Sequence, residues 1–374
     1  MNTRKMLVSL TAMATLMSAA ACAAPEQEND TTTESGVDAA AATSAEDFGG
    51  MDELVQAAQD EGELNVIALP PDWANYGEVI STFEEKYDIE VNSAQPDAAS
   101  QDEINAANEL AGTDRAPDVF DLGQSVALAN TDMFAPYQVA TWDDIPEEFK
   151  DPDGAWVNDY GGYMSIGYDS AVVPEVTSLA DLLKPEFEGK VALNGDPTQA
   201  GAAFSGVVMA AIANGGSADD IAPGVDFFTE LKEAGNFLTV DPDSTTIEQG
   251  TTPVVIDWDY LGAAAAANVD TWKTVVPEEA VVAGYYFQAI NADAPNPAAA
   301  RLWQEFLYSD EGQNLWLEGG ARPVRGDAMA EAGTIDAELW GALPEVSGDP
   351  VVPTDDQTVT AGEYLAANWS KAIR

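Results

Sequence analysis

The sequence predicts an α/β fold in two lobes joined by crossing strands, and three observations lead to that expectation. Short apolar segments alternate with amphipathic ones along most of the chain, the pattern of a doubly wound, parallel sheet. Two aromatic strands interrupt that alternation. Hydrophobic residues make up 46% of the 374, enough to fill the cores of two lobes of ordinary size.

Each element has its own signal. "MDELVQAAQDEG" sets Met51, Leu54, Val55 and Ala58 on one helical face. "LNVIAL" is a short strand that ends at Pro70-Pro71. "YGEVISTFEEKY" is a helix, "IEVNSA" a strand, "SQDEINAANELAG" a helix, and "APDVFDLG" a strand closing on a loop. Further on, "GKVALNGDP" reads as a strand, "TQAGAAFSGVVMAAIANGG" as a long apolar helix closed by glycines, and "PGVDFFTELKEAGN" as a helix. "TPVVIDWDY" is a strand that runs into the alanines 263–267. "PNPAAARLWQEFLYSDEGQNLWLEGG" holds two helices, with Trp303, Phe306 and Leu307 at helical spacing. The tail from Thr334 ends in a short helix carrying Trp369.

The interrupting strands are "YGGYMSIGYD" (160–169) and "AGYYFQAINA" (283–292). They are placed to carry the chain from one lobe to the other and back. Lobe 1 then comprises 51–163 and 287–374, lobe 2 comprises 164–286, and a cleft lies between them.

Composition excludes several classes of function. Fourteen Lys plus Arg stand against 66 Asp plus Glu, a formal net charge of −52. Such a surface repels nucleic acid and anionic lipid, attracts cations, and favours solubility. The absence of His removes Ser-His-Asp and Cys-His catalysis and the commonest metal ligand. Cys22 is the single cysteine, so the chain has no internal disulfide or zinc knuckle.

The N-terminus reads as an address. Arg4 and Lys5 precede an apolar run from Met6 to about Met17 and then small residues, the layout of a secretory signal over 1–21. The run is too short to span a bilayer. Its end, Ala19-Ala20-Ala21-Cys22, resembles a bacterial lipobox, which implies lipidation of Cys22 and anchoring on the outer face of the membrane. Residues 22–50 are polar, rich in Ala and Thr and without apolar periodicity, and are expected to form a flexible tether.

From lipobox to late helices, the order of "GELNVIALPPDWANYGEVISTFEEKY", "APDVFDLG", "GGYMSIGYD", "GKVALNGDPTQAGAAF", "TIEQGTTPVVIDWDY" and "NPAAARLWQEFLYSDEGQNLW" resembles the extracellular solute-binding proteins of ABC importers. The similar branch binds iron(III), polyamines, thiamine or aminoethylphosphonate. The resemblance covers roughly residues 60 to 330. It implies the type II periplasmic-binding-protein-like fold, with each lobe a mixed sheet flanked by helices, and a monomer without cofactor. The lobes would close on a solute and deliver it to a membrane permease. The ATPase would be another chain, and no G-x-x-x-x-G-K phosphate loop occurs here.

In open α/β sheets, ligands bind beyond the carboxyl ends of strands. That rule selects Asp72 and Trp73 after "LNVIAL", Gln124 and Ser125 after "DVFDL", Asp196 and Thr198 after "VALNG", and Asp257, Trp258, Asp259 and Tyr260 at the end of "VVIDWDY". In the family's polyamine binders, carboxylates hold ammonium groups while Trp and Tyr rings sandwich the methylenes. A polyamine-like cationic or zwitterionic solute is therefore expected, with iron(III), aminoethylphosphonate and thiamine as alternatives. Tyr285 joins the candidates because the pair Tyr285-Tyr286 is similar to the paired tyrosines of iron binders. However, the segment matching the iron-tyrosine position is "DWDYL", with one phenol, and no protein metal site is expected. "DPDG" (151–154) reads as a turn rather than a calcium loop. Asp259 also suits a helix N-cap, Asp196 a strand end, and Arg322 and Arg325 interlobe salt bridges. An unrelated alternative is a hydrolase using the pair Asp257 and Asp259, which on one strand would stand roughly 7 Å apart.

Overall fold

The computed structural model describes residues 31–33, 36–343, 346 and 350–373. Its main strands are β1 (Glu63–Ile67), β2 (Glu90–Ala94), β3 (Val119–Leu122), β4 (Val157–Asp169), β5 (Val191–Leu193), β6 (Val254–Trp258) and β7 (Ala283–Asn291). The main helices are α1 (Met51–Glu61), α2 (Tyr76–Tyr87), α3 (Ser100–Glu109), α4 (Gln124–Ala129), α5 (Gly201–Ala213), α6 (Ala222–Glu233), α7 (Asp259–Asn268), α8 (Pro297–Leu307), α9 (Asp310–Glu318) and α10 (Asp355–Ala372). Local chemistry accounts for their limits. Helix α1 buries Leu54, Ala57 and Ala58 and stops at Gly62, whose φ of 78° suits glycine. Helix α8 begins with Pro297, and all of its residues are buried. Its first free amides are taken by Glu61, which accepts from Ala298 at 3.0 Å and Ala299 at 2.7 Å.

The sheets are mixed, with less parallel pairing than simple alternation implies. β1 pairs with β2 in parallel, as does β5 with β6. Among the described residues the larger sheet runs β3-β7-β4-β6-β5, with short strands at its margins. β4 is long because it serves both lobes. Its first half pairs antiparallel with β7, and its second half, Met164 to Tyr168, pairs antiparallel with β6. β7 in turn pairs with β3. These are the two crossing strands that the aromatic segments predict. A register shift lies between Asn158 and Gly161, where backbones come unusually close: a Cβ on Gly161 would stand 2.2 Å from the Gly284 carbonyl oxygen. Glycine is required there for space alone.

Two expectations change. The final helix is 18 residues long, not short. It opens with a capping box in which Thr354 and Gln357 bond each other's backbone amides. It turns Trp369 onto Phe228 of α6 (5.3 Å, edge to face), while Gln124 of α4 donates to the Pro353 carbonyl at 3.1 Å. Second, the tether does not extend to residue 50. Ala39, Ala42, Ala45 and Phe48 are buried in the main core. Arg301, 1% exposed, donates to the carbonyls of Ala40 (2.7 Å) and Ala42 (2.7 Å), and to Pro297 of its own helix at 2.9 Å. A polar, unpatterned segment packs because a buried guanidinium needs acceptors, and this backbone supplies them. The signal segment 1–21 and Cys22 lie outside the described residues.

Burial lowers the Arg301 pKa to about 10, so it remains charged at neutral pH. Arg301→Met keeps the volume but strips the donors from the Ala40 and Ala42 carbonyls. Global stability should fall by about 3 kcal/mol, read by urea denaturation, and limited proteolysis should now cut before Phe48. Unchanged stability with an intact N-terminal segment would contradict the clamp.

Candidate functional site

A cavity of about 430 Å³ opens where the carboxyl ends of β1, β3, β5 and β6 meet. Of its 30 lining residues, ten are Asp or Glu and none is Lys or Arg. The whole chain carries 66 acids in 374 residues, so the lining is acidic beyond the general composition.

The loop after β1 contributes Asp72 and Trp73. This loop is strained: Ala68, Ala74 and Asn75 have φ of 59°, 45° and 69° without being glycine. Such conformations cost of the order of 1–3 kcal/mol each and persist where surroundings dictate them. Here they hold Trp73, whose indole N–H donates to the Tyr160 hydroxyl at 2.8 Å. Its ring meets Tyr286 (5.7 Å, 80°) and Tyr260 (6.1 Å, 75°) edge-on. Tyr160 stacks on Tyr286 at 5.5 Å. From the ends of β5 and β6 come Asn194, Asp196 and Asp257. Asp257 accepts from Asn194 Nδ2 at 2.7 Å and from the Trp258 amide at 2.8 Å. Burial raises its pKa to about 7 against these two donors.

Of the residues that the strand-end rule selects, the cavity gathers Asp72, Trp73, Asp196 and Asp257. The others face elsewhere. Gln124 bonds Pro353 and Asp355 on the side of α10, and Ser125 does not reach the cavity. Thr198 donates its hydroxyl to Asp196 at 2.7 Å, closing a turn before α5. Trp258 is buried and lies 6.4 Å from the Tyr260 ring, nearly parallel to it. Tyr260 is buried too, and its hydroxyl has no partner. Tyr285 packs on Phe149 at 4.5 Å. Asp259 accepts from the Tyr163 amide (2.9 Å) and pairs with Arg322 (3.1 Å), which also lies 4.2 Å over the Tyr163 ring. Arg325 pairs with Asp144 and Asp310. The motif "DPDG" is a turn, Asp151 accepting from the amides of Asp153 and Ala155.

The cavity also holds residues that the rule does not select. Tyr286 lines it while Tyr285 does not, because adjacent strand residues face opposite sides. Asp121, inside "VFDL", and Glu103, on α3, line it as well. An acid within a buried apolar strand was the legible signal for Asp121. Asp121 Oδ2 accepts from the hydroxyls of Tyr76 and Tyr160, each at 2.8 Å, and Glu103 accepts the Asp121 amide at 2.9 Å. Burial raises the pKa of Glu103 and, with nearby carboxylates, of Tyr76 and Tyr160. The phenols of Tyr260 and Tyr286 are likewise raised by burial. Among the described residues, no group of three or more Cys, Asp or Glu could hold a metal ion. The hydrolase alternative loses its geometry, since Asp259 is committed to Arg322 and only Asp257 faces the cavity.

The family described as "Bacterial extracellular solute-binding protein" matches residues 117–346. No curated protein matches the chain. Solved structures share the fold: a putative spermidine/putrescine ABC transporter protein from Listeria monocytogenes is 14% identical over 83% of this chain and 99% of that one, with a TM-score of 0.63. A ferric binding protein from Campylobacter jejuni is 18% identical over 83% and 99%, with a TM-score of 0.61. AfuA from Actinobacillus pleuropneumoniae, with fructose-6-phosphate bound, is 17% identical over 83% and 98%, with a TM-score of 0.62.

The Asp259–Arg322 pair is nearly sealed, with side chains 3% and 13% exposed. Asp259→Asn removes the carboxylate of this sealed ion pair and should cost about 3 kcal/mol of stability, measured by chemical denaturation. Affinity for any cleft ligand should stay within about threefold. A large affinity loss at unchanged stability would return Asp259 to the ligand set.

Proposed function

Because the chain belongs to the bacterial extracellular solute-binding proteins, we propose that its cleft captures a small cationic solute, polyamine-like in chemistry, for delivery to an ABC permease. The acidic lining carries this reading: ten carboxylates and no basic side chain around one cavity. A carboxylate buried in such a wall pays desolvation without a partner, and an incoming ammonium supplies the missing opposite charge. Trp73 and Tyr286 add ring surface, over which an ammonium gains about 0.5–2 kcal/mol. Asp257 and Asn194 approach from lobe 2, Asp72, Trp73 and Asp121 from lobe 1. Closure of the lobes about β4 and β7 then brings opposite sides of the solute into contact at once.

The similar structures include proteins titled for polyamine, iron and sugar phosphate, so similarity does not choose among solutes. The acidic lining supports a cation. A sugar phosphate would meet a wall of like charge. The lobes are proposed to divide as 51–163 with 287–374, and 164–286. Cys22 is proposed as a lipid anchor outside the membrane.

A thermal-shift panel of putrescine, spermidine, thiamine, aminoethylphosphonate, iron chelates and fructose-6-phosphate tests the reading. The amines should raise the melting temperature; at a hundredfold excess over Kd the stabilisation is about 2.7 kcal/mol. Asp257→Asn should weaken amine binding by about 2–5 kcal/mol, roughly thirty- to several-thousand-fold, by calorimetric titration. Stabilisation by an anion alone would reverse the charge assignment. For the anchor, Cys22→Ser should move the protein from the membrane fraction to the medium, and a mature chain without acyl mass would refute lipidation.

A further inference from the structure

Asp121 stands at the junction of the crossing strands and the cavity, and its two oxygens are treated differently. It is 7% exposed and lines the cavity. Oδ2 receives the hydroxyls of both Tyr76 and Tyr160, while Oδ1 is buried without any partner. Gln288 is the residue directly opposite Asp121 in the β3–β7 ladder. Its amide N–H group donates to Tyr76 and to Asp159, but its carbonyl oxygen is also buried and unpartnered. Two acceptors on directly opposed residues thus lack a donor. A proton on Asp121 Oδ1 supplies one.

The groups around Asp121 are acids and phenols, and burial together with its charge raises Glu103 and Asp159 as well. Glu103 faces Asp121 from α3, and Asp159 from β4. Tyr76 faces it from α2 and Tyr160 from β4, with Tyr286 on β7, Tyr260 on α7 and Tyr308 just after α8 near enough to feel its charge. No Lys or Arg lines this cavity. Burial raises the Asp121 pKa, and the two tyrosine hydroxyls pull it back. Asp257 differs, because N–H donors already hold both of its oxygens and suit the anion.

We propose that the solute-free protein keeps a proton on Asp121 and that capture of a cationic solute expels it. In balance, a neutral carboxylic acid and an ammonium become a carboxylate paired with that ammonium, and the proton passes to solvent. This rests on the proposed cation-binding role of the cleft. Capture then strengthens as pH rises through the range in which the free acid would otherwise keep its proton. Acidification favours release.

The sign follows from linkage. The solute-free form binds one more proton than the loaded form, so affinity falls about tenfold per pH unit on the acid side and levels off on the alkaline side. Spermidine is a suitable probe, since its amines stay charged near neutral pH. Its calorimetric titration into the wild type near pH 7, in phosphate and in Tris, should give heats that differ with the buffer by about one released proton. Asp121→Asn should remove about one proton from that difference, while Asp257→Asn should weaken binding and leave the Asp121 proton in it. Infrared difference spectra of the wild type should show a protonated-carboxyl band lost on spermidine addition, a test that stands if the Asn variant fails to fold. Tight binding with buffer-independent heat and an unchanged band would overturn proton exchange and leave the cation reading intact. Failure of spermidine and putrescine to bind at any pH would overturn both.

Discussion

The site depends on how closely β4 and β7 approach as they cross between lobes. At Gly161 the β7 carbonyl of Gly284 leaves no room for a side chain, and the neighbouring Gly162 would carry its Cβ to 2.4 Å from Asp259 Oδ1. From this one contact the other positions follow. β4 holds Tyr160 and Asp159; β7 holds Tyr286 and Gln288 and aligns β3 so that Asp121 lies opposite Gln288. Tyr160 then reaches both Trp73 and Asp121. The cleft is therefore built on the crossing strands. A change in the crossing would move ring, acid and hydroxyl together.

Electrostatics gives that wall its purpose. Burying a carboxylate without a partner is costly, and this protein buries several close together. Where no ligand is expected, the same chain pairs its acids with donors. Asp118 accepts from the amides of Asn65 (2.6 Å) and Asn296 (2.7 Å), Glu61 from the start of α8, and Asp259 from Arg322. Asp121 is served on one oxygen only. The contrast within one molecule separates acids that hold the fold from one left incompletely satisfied beside a cavity. The net charge of −52 adds a field that draws cations toward the surface.

Element type and order were legible in the sequence because apolar periodicity and chain breakers are local. "LNVIAL", "VVIDW" and the helix of Trp303 and Phe306 formed where their patterns put them. The strand-end rule brought Asp72, Trp73, Asp196 and Asp257 to one cavity. The rule also chose Trp258, and the likeness to paired tyrosines chose Tyr285; neither lines the cavity, because a strand turns each successive side chain to the opposite face and the facing side is set by neighbours far away in sequence. The docking of residues 39–48 was hidden for a related reason: its acceptors are main-chain carbonyls, and their donor, Arg301, lies some 260 positions on.

By itself, the sequence determined an acidic two-lobed α/β chain without histidine, unsuited to nucleic acid or to His-based catalysis, and resembling solute-binding proteins. Those properties are sums over composition or readings of short windows, so they need no coordinates. The tertiary structure decided which acids are ligand candidates. Asp257 and Asp259 are two residues apart and chemically identical, yet one faces the cavity and the other is spent on Arg322. Asp121 looks like an interior strand residue until β7 sets Gln288 opposite it and Tyr76 and Tyr160 converge on a single oxygen. Burial and hydrogen-bond partners belong to the packed chain, and they separate a structural acid from one available to a solute.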